Sequence, residues 1–264
     1  MPAEQLLILA LIQGLTEFLP ISSSGHLVLA PRLLGWDDQG LAYDVAAHAG
    51  SLAAVVAYFR RDLIALATAA VRRLGGGVAT PESRLALWLT VATVPVCIVG
   101  FLGHDFIATR LRSTEVIAWA TIGFGIALGL ADRCGRGRVP LVGLGARGAW
   151  LVGLAQCLAL IPGTSRSGVT MTAGLALGLE RRDAARFSFL LAVPVIFLAS
   201  VLEVWSLAAT PGAVDIRGLA IVFAVSALSA LICIWAFLNA ISRIGMLPFV
   251  AYRLALGGAL LAWF

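Results

Sequence analysis

Glu17 stands in an otherwise apolar stretch, with Gln13 four residues before it. That spacing puts both side chains on one face of a helix. A carboxylate inside such a stretch is costly to bury, and its default reading is functional; the plainer alternative is a polar clamp between helices. Ser22-Ser23-Ser24-Gly25-His26 follows, just ahead of a second apolar run. One serine there is explained as an N-cap. Three hydroxyls with a glycine and an imidazole are not, and the free N–H groups of a helix N-terminus bind anions. A third polar island, Ser165-Arg166-Ser167-Gly168, closes with Thr170. Arginine offers a planar, permanently charged fork that matches phosphate oxygens. Beside hydroxyls and a helix start it reads as a phosphate cradle, a role compatible with a buried Arg166–Glu17 pair that holds two segments together. The set contains a carboxylate, candidate nucleophilic hydroxyls, an imidazole able to move a proton near neutral pH and a cation for developing phosphoryl charge. This is equipment for phosphoryl transfer, and no GxxxxGK[ST] nucleotide loop accompanies it.

The elements that must hold these residues are apolar helices. Hydrophobic residues make up 60% of the 264-residue chain and charged ones 12%, against about 25% charged in a soluble domain. A bilayer is the natural solvent for such a sequence. Six stretches are expected to span it: 42–59, 85–103, 115–131, 187–205, 218–239 and 246–264, each near the roughly 17–25 residues a membrane helix needs. Residues 5–34 and 148–179 are also apolar but are broken by the polar islands. Each reads as a short helix, a polar turn and a second short helix, which suits a re-entrant hairpin better than a span.

The two broken regions resemble each other at a shift of 143 positions: Gln13 meets Gln156, Ser22 meets Ser165, Ser24 meets Ser167 and Gly25 meets Gly168. Three spans follow each. The expected fold is therefore an all-α integral membrane domain over residues 1–264, built from two repeats, about 1–135 and about 145–264. Because three is odd, the second repeat enters from the opposite face, an inverted repeat whose broken helices meet near the midplane. Loops 60–84, 132–147, 180–186 and 240–245 carry 13 arginines, and the segments on the other side carry four, Arg32, Arg110, Arg112 and Arg217. The positive-inside rule places the first set in the cytoplasm and both termini outside; Arg166 and Arg253 stay within the membrane.

The net charge of +5 comes from 19 arginines and 14 acidic residues. No basic run is interleaved with aromatics, so nucleic acid is not an expected partner. The four cysteines, Cys97, Cys134, Cys157 and Cys233, are widely spaced and read as small packing residues. The first apolar stretch lacks a basic leader and carries Glu17, so a cleavable signal is not expected. A phosphoryl-transfer site in a membrane, without a nucleotide motif, points to hydrolysis of a lipid-borne phosphate. The rival is a polyprenyl-phosphate transporter or flippase, since inverted repeats with broken helices are a transporter architecture. Against it, Ser, His, Glu and Arg together exceed what binding alone requires.

Gln13 to His26, reading QGLTEFLPISSSGH, and Pro162 to Thr170, reading PGTSRSGVT, closely resemble the two motifs of the undecaprenyl-diphosphate phosphatase family, also called bacitracin-resistance proteins. Further family-like stretches run from Asp44 to Arg61 and from Phe187 to Pro194, and the segment order matches from end to end. The resemblance implies an acid-anhydride hydrolase that converts undecaprenyl diphosphate to undecaprenyl phosphate and inorganic phosphate. Its site would face the outside of the bacterial cytoplasmic (inner) membrane. It would recycle the carrier lipid for peptidoglycan, confer bacitracin tolerance and use Mg²⁺ or Ca²⁺. Carried over by position, Ser23 is the nucleophile, Glu17 activates it or holds the metal, His26 shuttles protons and Arg166 grips the phosphate. Gln13, Ser22, Ser24, Gly25, Ser165, Ser167, Gly168 and Thr170 are expected to bind substrate. Gln13 takes a position the family fills with Glu or Gln and cannot act as a base, which shifts that duty to Glu17 and His26. Asp44 is either an extra carboxylate near the outer face or an interfacial polar residue, and a homodimer is compatible with the sequence.

Overall fold

The computed structural model describes residues 2–37, 39–111, 113–135, 137, 139–208 and 215–263. Of the arginines in the orientation count, Arg112, Arg136 and Arg138 lie outside the described residues, as do the side chains of Arg32 and Arg110. Eleven α-helices are present among the described residues: α1 (Ala3–Thr16), α2 (Ser23–Leu34), α3 (Leu41–Tyr58), α4 (Arg60–Leu74), α5 (Pro81–Arg110), α6 (Thr114–Cys134), α7 (Gly145–Cys157), α8 (Arg166–Ala176), α9 (Arg181–Ala208), α10 (Ile216–Ile244) and α11 (Leu247–Trp263).

Five of these, α3, α5, α6, α9 and α10, are long and apolar enough to cross a membrane. The chain is a multi-pass membrane protein. The sixth expected span corresponds to α11, which is apolar but only 17 residues long. The segment 60–84, read from its charges as a loop, contains α4. Its four arginines, in pairs at either end, mask a helical middle. Large apolar side chains such as Phe101, Trp205 and Trp235 are exposed on the outer faces, as suits helices whose surroundings are hydrocarbon.

Both broken regions fold as helix–turn–helix units, α1 with α2 and α7 with α8. Their local geometry repeats at the same 143-residue shift. Ser22 has φ 75° and Ser165 φ 72°, and these are the only non-glycine residues with positive φ among the described residues. Each serine is an N-cap: Ser22 Oγ accepts from the Gly25 N–H at 3.3 Å and Ser165 Oγ from the Gly168 N–H at 3.1 Å. The left-handed backbone is an unfavourable setting for serine. The cap bond and the surrounding packing hold it there in both copies.

Close packing fixes where the first turn sits. A Cβ on Gly14 would lie 2.5 Å from the Ser226 carbonyl oxygen on α10, so only glycine lets α1 approach α10 this closely. Phe18, fully buried beside Glu17, meets Phe189 of α9 edge-on at 5.2 Å. The aromatic chain runs on through Phe237 of α10 to Phe249 of α11. At one end of the bundle, Asp132 of α6 takes two hydrogen bonds from Arg181 of α9, at 2.6 and 3.1 Å, and a third from the Met246 N–H.

Candidate active site

The turn after α1 and the start of α2 bring Glu17 and Ser23 face to face. Ser23 Oγ donates to Glu17 Oε2 at 2.6 Å, and Gln13 Nε2 donates to the same oxygen at 3.1 Å. The other Glu17 oxygen accepts from Arg166 Nη2 at 3.4 Å. Residues 149 apart in sequence thus form one buried carboxylate–guanidinium pair. Arg166 Nη1 donates to the Ser188 carbonyl at 3.0 Å, while its Nε–H has no protein partner. Thr170 Oγ1 braces this arrangement by donating to Ser188 Oγ at 2.7 Å.

These groups line a cavity of about 220 Å³. Its polar wall holds Glu17, Ser23, Ser24, Ser165 and Arg166, together with His48, Gln156, Ser200 and Glu203. Its apolar wall comes from Val96 on α5, from Ala159 and Leu160, and from Val195, Ile196 and Ala199 on α9. Polar and apolar side chains thus share the lining, with α9 contributing both kinds.

Among the expected site residues, Gln13, Ser22, Gly25, His26, Ser167, Gly168 and Thr170 do not line the cavity. Ser22, Gly25 and Gly168 serve the caps described above. Ser24 Oγ lies 3.3 Å from Ser22 Oγ, and Ser167 Oγ 3.1 Å from Ser165 Oγ. Ser167 Oγ also donates to the Leu19 carbonyl at 2.8 Å, stitching the second motif to the first turn. Of the three consecutive serines, only Ser23 has its hydroxyl on the carboxylate. His26 donates from Nδ1 to the Ser22 carbonyl at 2.6 Å, and its Nε2 accepts from the Tyr252 hydroxyl at 2.6 Å. Both ring nitrogens are engaged by protein in this structure. Asp44 accepts from Gln39 Nε2 at 2.6 Å and is not in the cavity wall.

His48, Ser200 and Glu203 join the wall without having been singled out from the sequence. His48 and Glu203 sit on the spans α3 and α9, far along the chain from both motifs. The signal for both was an ionisable side chain within an apolar span, and His48 also falls in the family-like stretch from Asp44 to Arg61.

A family profile described as bacitracin resistance protein BacA matches residues 6–259. The chain belongs to that family. A curated relative from Alcanivorax borkumensis, named undecaprenyl-diphosphatase, is 53% identical over 265 residues, covering 98% of each chain. The BacA match takes in both polar turns and every residue of the cavity wall.

Proposed function

We propose that this chain hydrolyses undecaprenyl diphosphate to undecaprenyl phosphate and inorganic phosphate, recycling the lipid carrier used in peptidoglycan synthesis and so conferring bacitracin resistance. The observation that carries the reading is the pairing of a serine hydroxyl on a carboxylate, at 2.6 Å, with a buried arginine that lines the same cavity. A hydroxyl aligned on a base is an activated nucleophile. A guanidinium is a permanently charged, planar donor fork suited to phosphate oxygens. The apolar lining suits the first part of a prenyl chain beside the diphosphate, and the name of the 53%-identical relative supports the same substrate.

In this mechanism Arg166 binds the terminal phosphoryl group. Ser23 Oγ attacks its phosphorus while the serine proton passes to Glu17, and the phosphoanhydride bond breaks with its electron pair leaving on undecaprenyl phosphate. Water then attacks the phosphoserine, the protonated Glu17 returns a proton to Ser23 Oγ, and inorganic phosphate departs. Arg166 stabilises the charge that develops on the phosphoryl oxygens in both steps.

A divalent cation, Mg²⁺ or Ca²⁺, enters this proposal through the family resemblance, as an ion carried by the substrate. No cluster of three or more His, Cys, Asp or Glu side chains suited to a metal exists among the described residues. Mg²⁺ commonly binds through one or two carboxylates with phosphate oxygens completing its shell. Glu17, the carboxylate of the polar wall beside Ser23, would hold it together with phosphate oxygens, and when bound it would neutralise diphosphate charge.

The repeated geometry of the two turns supports two repeats, about 1–135 and about 145–264, each a re-entrant hairpin plus three spans in opposite orientations. The arginine balance supports a site open to the periplasmic side of the inner membrane. The test is phosphate release by purified protein in detergent, without any gradient. Release by wild type, with its loss in Ser23→Ala, supports the phosphatase. Lipid binding and vesicle translocation without release would instead establish the flippase.

A further inference from the structure

Arg253 on α11 is the largest side chain with no exposed surface, and no ion pair to it exists among the described residues. Its guanidinium is met by backbone carbonyls alone. Nε donates to Thr121 at 3.0 Å, Nη1 to Pro20 at 3.2 Å, and Nη2 to Gly163 at 3.0 Å and Ala120 at 3.4 Å. These acceptors belong to three separate parts of the chain. Pro20 lies in the turn between Glu17 and Ser23, Gly163 in the turn that ends at Arg166, and Ala120 and Thr121 in α6.

A cation buried among carbonyls needs a structural or functional reason. The fold also makes room for it: a Cβ on Gly125 of α6 would lie 3.1 Å from Arg253 Cβ and 3.4 Å from its Nε. The neighbouring Tyr252 hydroxyl holds His26 at 2.6 Å. Two consecutive residues of α11 therefore grip both the turn before α2 and the helix that follows it.

We propose that Arg253 is a positioning residue for the reaction, an inference that rests on the phosphatase reading above. Its three nitrogens fasten the turn carrying the nucleophile and base to the turn carrying the phosphate-binding Arg166, with α6 as the common anchor. The fork fixes the separation at which Ser23 and Arg166 face one phosphoryl group. Displacing reacting groups by about 1 Å can lower turnover about 10²-fold, so this fastening acts on the chemical step rather than on lipid binding.

The test compares wild type, Arg253→Lys and Gly125→Ala in detergent with undecaprenyl diphosphate, measuring kcat and KM separately. Lysine keeps the charge, but its single nitrogen cannot span all three segments. Arg253→Lys is expected to lower kcat about 10²-fold with KM within about threefold of wild type. Gly125→Ala keeps every bonding group of Arg253 and shifts the fork by a few tenths of an ångström; it should lower kcat by roughly three- to tenfold. A lysine variant with wild-type kcat overturns the proposal, as does one whose loss lies wholly in KM. If the lysine variant does not fold, Gly125→Ala decides: wild-type kcat overturns the proposal and a reduced kcat at unchanged KM supports it. A wild type that releases no phosphate removes the phosphatase reading and this inference with it. An active wild type beside an unimpaired lysine variant removes the inference alone.

Discussion

If Glu17 acts through Ser23, the two residues cannot be independent. The 2.6 Å bond from Ser23 Oγ to Glu17 Oε2 makes the carboxylate the recipient of the serine proton. Glu17→Gln keeps the size and removes the base, while Ser23→Ala removes the nucleophile. General-base assistance contributes about 10²–10⁴-fold. Taking 10³-fold as the middle of that range, each single change raises the barrier by about 4 kcal/mol, at about 1.4 kcal/mol per decade. Independent residues would give a double variant near 10⁶-fold down, about 8 kcal/mol. Residues that act as one unit give a double variant no worse than the poorer single, a coupling near 4 kcal/mol. The assay is phosphate release from undecaprenyl diphosphate by the four proteins at matched folded concentration. A thermal melt is needed because Glu17 also pairs with the buried Arg166, and removing one partner of a buried pair destabilises by about 3–5 kcal/mol. Additive losses would refute the base–nucleophile unit and leave Glu17 as a clamp for Arg166.

Further outcomes follow from the same geometry. Arg166→Lys replaces a fork that reaches Ser188, Glu17 and the open cavity at once; kcat/KM should fall about 10²-fold or more, and a loss under fivefold would remove the phosphate-grip role. His48→Leu, in the cavity wall, should lower phosphate release by about tenfold or more, and wild-type rates would leave His48 a lining residue only. Chelation of divalent cations should abolish release and added Mg²⁺ or Ca²⁺ should restore it; full activity in excess chelator would end the cation proposal. Asp132→Asn weakens the contacts with Arg181 and Met246 at the far end of the bundle. It should lower stability by about 1–2 kcal/mol with unchanged release per folded molecule, and a selective loss of kcat would show that this end communicates with the site.

Much of the fold and part of the site are legible in the sequence, for different reasons. The long helices follow from hydropathy, because a membrane segment must be apolar over a defined length. The two polar turns stand out because hydroxyls and charges inside apolar runs need a purpose. The meeting of Glu17 with Arg166 is legible as chemistry, since each is incomplete without the other. What the sequence leaves unmarked depends on rotation about helix axes and on packing partners distant in the chain. α4 is hidden because its arginines resemble loop charges. His48 and Glu203 enter the wall only because α3 and α9 turn those faces toward the turns. His26 lies in the motif, yet Tyr252, more than 220 residues away, takes its outer nitrogen. Arg253 is visible as an anomaly, but its acceptors are backbone carbonyls, which carry no sequence signature.

The two left-handed serine caps have a consequence for the chemistry. Counting one residue on from each cap gives Ser23 in one half and Arg166 in the other. In the proposed mechanism the nucleophile and the anion clamp therefore occupy equivalent positions of two turns with the same local geometry. With one residue type in both slots, the pair would lack either the cation or the hydroxyl that sits on Glu17. Two turns of like backbone at separate places in one chain can carry different residues in this slot, which is what the proposed mechanism requires: one hydroxyl and one guanidinium on a single phosphoryl group.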